Sequence, residues 1–102
     1  MPRTWYRGDQ RSTISDSGTV GALSLVTSAQ EVRVGATPLP GRKMVAVFNN
    51  ASDHMYWGFN SSQATSASGY ILPANTGASW TITDSIAIWI VGSGNARIME
   101  AR

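Results

Sequence analysis

From residue 19 onward, runs of β-forming residues, four to eight long, follow one another with turn signals between them. They fall at 19–26, 30–34, 43–48, 54–59, 69–72, 78–83, 86–91 and 95–100. The intervening stretches at 27–28, 38–41, 49–53, 73–77, 83–85 and 92–95 are rich in Gly, Pro, Asn, Asp, Ser and Thr. Those residues supply turn chemistry. No 12-residue window carries apolar residues at helical spacing with caps at both ends. Short strands at this spacing predict an all-β fold, an antiparallel β-sandwich or barrel.

The chain has 102 residues, room for one domain with a thin core. It has no cysteine, so neither a disulfide nor a Cys-based zinc site supports that core. Its net charge is +2, too small a surplus to indicate specific nucleic-acid binding. The longest apolar run, at 86–91, falls far short of the ~20 residues of a membrane span. The first residues include Arg3, Arg7, Asp9, Arg11 and Asp16 without an apolar core, so no signal peptide is expected.

Residues 1–18, "MPRTWYRGDQRSTISDSG", show neither helical nor strand periodicity and read as an extended N-terminal arm. Residues 19–102 read as the β-sandwich domain. "MVAVF" and "IAIWIV" are apolar on both pleat faces, which predicts central strands covered on both sides. In "QEVRV", Val32 and Val34 share one face, Glu31 and Arg33 the other. "ARIME" mixes charge into its alternation and is expected near an edge. Trp80 and Trp89 lie within strands and are expected in the core. "SSQATSASG" at 61–69 reads as a mobile surface loop.

The stretch "PLPGRKMVAVF" raises the question of anion binding. A phosphate-binding loop requires G-x-x-x-x-G-K-[ST] between a strand and a helix. Here one glycine precedes Arg42-Lys43, and a strand follows. Pro40-Gly41 is turn chemistry. Arg42 and Lys43 are expected to flank the entry to a buried strand and keep its end soluble; the alternative is that they contact an acidic partner surface.

The same stretch carries a resemblance. A Pro turn with Arg-Lys leads into an apolar strand ending in Asn, then to the aromatic-Gly strand Tyr56-Trp57-Gly58. A Ser/Thr/Gly loop, the Leu72-Pro73 turn, an aromatic-rich strand and a closing "ARIME" strand follow. Over residues 33–102 this order resembles small structural proteins of tailed bacteriophages. The resemblance implies a jelly-roll-like sandwich and a virion role. Residues 1–32 take no part in it.

Catalytic and metal constellations are weak. Asp53 and His54 are adjacent, so on a strand they point to opposite faces and Asp53 cannot orient the imidazole. His54 is the single histidine and has no spaced partner for a transition metal. Asn49, Asn50 and Asp53 offer oxygen ligands for calcium, but a polar turn accounts for them equally. Arg7-Gly8-Asp9 and the Asn50 and Asn60 glycosylation patterns are short enough to arise by chance. No catalytic residue, cofactor or metal is therefore assigned, and the chain is not expected to be an enzyme.

The aromatics say more. Trp5 and Tyr6 stand among Arg3, Arg7 and Arg11, the residue types that anchor interfaces. Tyr56 and Trp57 point to opposite sides of one strand, so one of them faces away from a single core. These seven residues, with Arg42 and Lys43, are the expected partner-binding set. The expected function is decoration or cementing of a phage capsid, on its exterior, by a protein made in the host cytoplasm. The expected partners are the major capsid protein and further copies of the chain, with no membrane; the resemblance implies a trimer over a dimer. A carbohydrate-binding or host-attachment module of a fibre is the alternative, and a head–tail adaptor a further one.

Overall fold

A computed structural model describes residues 17–25 and 28–102. Eight strands form in the described chain: β1 Gly18–Leu25, β2 Gln30–Glu31, β3 Met44–Asn49, β4 Met55–Gly58, β5 Tyr70–Leu72, β6 Gly77–Trp80, β7 Trp89–Val91 and β8 Gly94–Ala101. They make two four-stranded sheets, in the orders β1-β8-β3-β6 and β2-β7-β4-β5. Every pairing is antiparallel. The chain is all-β, with a sandwich-like pair of sheets.

The core lies between the sheets. Val45, Val47 and Ile98 of the first sheet meet Met55, Ile88 and Ile90 of the second side, all at most 2% exposed. Each such side chain contributes roughly 1.5–3 kcal/mol by leaving water. Alternation explains the selection. Val45 and Val47 point inward, while Ala46 and Phe48 point out.

Strand existence follows the sequence reading closely, and the extents differ. The expected strand 30–34 shortens to two residues. Val32 is instead buried, its N–H donating to the Ile88 carbonyl at 2.7 Å. The strands expected at 78–83 and 86–91 are likewise trimmed. The 61–69 segment, expected to be a mobile loop, is a series of hydrogen-bonded turns. Asn60 Oδ1 accepts from the N–H groups of Ser62 and Gln63, and Ala64 is buried.

Three expectations about position are overturned. First, β8 is an interior strand, bonded to β1 on one side and β3 on the other. Its Glu100 is no mark of an edge, because the carboxylate is buried and paired. Second, β3 is central within its sheet but among the described residues is covered on one face only, with Phe48 42% exposed. Third, Trp89 is not in the core. Ile88 and Ile90 on either side of it point inward and are fully buried, so Trp89 faces out and is half-buried. Trp80 does pack against the core, half-buried.

Candidate partner-binding surface

Arg42 was expected at the surface, and the structure places it inside, 1% exposed. Its Nη1 donates to Glu100 Oε2 at 2.6 Å. Nη2 donates to the Ile86 carbonyl at 2.7 Å, and Nε to the Thr83 carbonyl at 3.3 Å. Glu100 also accepts from the backbone N–H groups of Val34 (2.9 Å) and Leu39 (3.0 Å). The physical reason for the correction is this internal anion. Pro40-Gly41 turns the chain, with Gly41 at φ 73°, and aims the next side chain inward at β8. Three segments that form no ladder together, 32–42, 83–86 and the end of β8, are thereby fastened. Every buried side-chain polar atom among the described residues has a partner. The pair is a structural clasp, and Arg42 is unavailable to a partner protein.

Lys43 is half-exposed, and its backbone N–H donates to the Ala101 carbonyl at 2.8 Å. Asn49, a calcium candidate, is buried. Its Nδ2 donates to the carbonyls of Asp53 and Leu72, and its Oδ1 accepts from the Ala51 N–H. It therefore holds a turn. Among the described residues, no group of three or more His, Asp or Glu is placed to hold a metal ion. Arg3, Trp5, Tyr6, Arg7 and Arg11 lie outside the described residues.

Tyr56 and Trp57 point to opposite sides of β4, as alternation requires. Trp57 packs against the core and meets Trp80 edge-on across the sheets, ring centroids 4.7 Å apart. Tyr70 and Phe59 extend this group outward, at 5.6 and 5.7 Å from Trp57. They are 73% and 53% exposed. The result is an aromatic ridge where the edge strands β5 and β6 approach.

The surface that sequence reading missed is the outer face of the β1-β8-β3-β6 sheet. Register lines up Val20, Met99, Ala46 and Ser79 in one cross-strand row. Ala22, Arg97, Phe48 and Gly77 form the next. Small residues make the floor and Val20, Met99 and Phe48 the walls of a groove of about 840 Å³. Arg97 is the charged residue of its lining, its Nε donating to Asn95 Oδ1 at 2.9 Å. Val20 is 73% exposed and Met99 37%. Contiguous exposed apolar surface of this kind marks an interaction site. The signal is in the sequence: β3 and the start of β1 are apolar at outward positions, and for "MVAVF" that pattern reads as a second covering layer.

The chain can offer an apolar groove and an aromatic ridge to a partner. Comparison with family models, curated proteins and solved structures found no match to this chain.

Proposed function

We propose that this chain is a structural protein of a tailed-bacteriophage virion that decorates or cements the capsid from outside. The observation that carries the reading is the apolar face built from Val20, Ala46, Phe48 and Met99, which no other described residue covers. A sandwich with one such face is suited to sit on a protein shell and bury that face against it. The strand orders β1-β8-β3-β6 and β2-β7-β4-β5 support the finer reading of a jelly roll. Two interleaved Greek keys of eight strands give such an order, an architecture that recurs in viral capsid proteins and in lectins. Ser17 and Gly18, expected in the arm, belong instead to the β1-β8 ladder, and in this reading the residues before Ser17 act as an arm that reaches a neighbouring subunit. Trp5 and Tyr6 anchor it, and Arg3, Arg7 and Arg11 pair with acidic groups.

Copy counting in purified virions, with co-sedimentation on empty capsids, tests the proposal. Hundreds of copies per particle and salt-resistant binding are expected. About a dozen copies would instead indicate a head–tail adaptor. One observation favours a second reading, a carbohydrate-binding module: the exposed Tyr70 and Phe59 rings beside Trp57. Saturable glycan binding that is lost in Tyr70→Ala, without capsid binding, would favour it.

A further inference from the structure

We infer that the free edge of β1 pairs with β1 of a second copy about a two-fold axis through Gly21, joining two sheets into one of eight strands. This does not rest on the capsid reading, since it concerns the isolated protein. The four sheet edges are unequal. β2, β5 and β6 are two, three and four residues long, whereas β1 runs for eight, Gly18–Leu25. Its sequence "GTVGALSL" has no charge and no proline. Long edges usually carry such residues to prevent pairing. This edge has none of them.

The hydrogen-bond phase shows which groups the edge offers. Ser17 and Arg102 exchange both backbone bonds, at 3.0 and 2.8 Å. Bonded and non-bonded pairs alternate along an antiparallel ladder. Thr19, Gly21 and Leu23 therefore bond to β8, and Gly18, Val20, Ala22 and Ser24 turn their N–H and C=O groups to the free side. An independent contact agrees: the Ser24 carbonyl accepts from the Gln30 side chain, which comes from outside the ladder.

A two-fold axis at Gly21 matches that phase. It sets Val20 opposite Ala22 of the second copy and Gly18 opposite Ser24, so each of the four has a counterpart, and the two Val20–Ala22 pairs carry the contact because the Ser24 carbonyl already accepts from Gln30. Shifting the axis by one residue, to Val20 or Ala22, keeps the phase but leaves part of the set unmatched. Gly21 also suits the axis sterically. It would lie in a non-bonded pair, where backbones approach to about 4.5 Å. Its Cβ position is already closed, 2.9 Å from Val34 Cγ1, so Val34 fills the inner side. On the outer side, the 73%-exposed Val20 is covered by its new neighbour. The two grooves become one apolar surface. The proposed symmetry is two-fold, an alternative to the trimer that the resemblance implies.

Sedimentation of the full chain and residue-resolved amide exchange test this together. A dimer is expected at concentrations of about 100 μM, a range in which a modest interface is populated. The Val20 and Ala22 amides should be protected in the dimer and exchange fast on dilution. Those of Thr19, Gly21 and Leu23 should stay protected throughout. Val20→Pro removes one free-side N–H without touching the β8 ladder, a place where an edge strand tolerates proline. It should stay folded and sediment as a monomer. A monomer at all concentrations, a trimer, fast exchange at Val20 and Ala22 within a dimer, or a folded Val20→Pro dimer would each overturn the inference. Should Val20→Pro not fold, the exchange pattern of the unaltered chain decides alone.

Discussion

Replacing Arg42 by alanine removes the cation paired with the buried Glu100, and the carboxylate is left in the interior without it. Breaking a buried pair in this way costs about 3–5 kcal/mol, mostly from the stranded charge. Glu100→Ala should cost about as much, because the Val34 and Leu39 amides also lose their acceptor. The double variant should cost clearly less than the two singles added, and urea unfolding of all three checks this. Single-variant losses under about 1 kcal/mol would contradict the clasp. Gly41 gives a second test. At φ 73° with open space around its Cβ position, it is held by conformation and not by crowding. Gly41→Ala should cost about 1 kcal/mol and the β-branched Gly41→Val more, read by the same unfolding assay. Of these two neighbours, the turn at Gly41 was legible, because Pro-Gly is local chemistry. The role of Arg42 was not, because its anion lies 58 residues away in the chain. On local grounds alone, a lone arginine after a turn looks like a surface residue.

Strand alternation carries most of the fold and also accounts for its misreadings. It separates Ala96, Ile98 and Glu100 from Arg97 and Met99 correctly, and the first three are all buried. What alternation cannot supply is the partner that makes a buried acid tolerable, so β8 looked like an edge. The same limit hid the groove. "MVAVF" is apolar on both faces, a pattern that reads as cover on both sides. Among the described residues nothing covers the outer face of β3, and Phe48 lies over Gly77, whose added Cβ would meet the ring at 3.3 Å. Phe48→Ser should cost folding about 1–2 kcal/mol, since the ring is 42% exposed and a little over half of the usual burial is forfeited. The same change should abolish capsid binding if the groove is the docking face. A melting curve and a co-sedimentation assay on one preparation separate the two effects. Intact binding by a folded Phe48→Ser chain would move the docking face to the aromatic ridge.

At the scale of the whole molecule, the first described strand and the last are partners, β1 on β8, with Ser17 bonded to Arg102. The sheet is closed by its most distant segments in sequence, a loop closure that must precede the contacts it permits. This arrangement makes two truncations behave differently. Deleting residues 2–25 removes β1, bares the β8 edge and strips Leu23 from against the core. That chain should fail to fold or should aggregate. Deleting residues 2–12 leaves the described ladder, which begins at Ser17, untouched. Its melting temperature should stay within about 3 °C of the full chain, less than a 1 kcal/mol change produces in a domain of this size. Capsid affinity is where the second deletion should tell. If Trp5 and Tyr6 are anchors on a neighbouring subunit, their loss should weaken binding by about a hundredfold or more, the scale of losing an aromatic hot spot. A truncated chain that melts normally and binds normally would leave the groove as the whole of the docking surface. One that loses its fold would show that the arm belongs to its own sandwich.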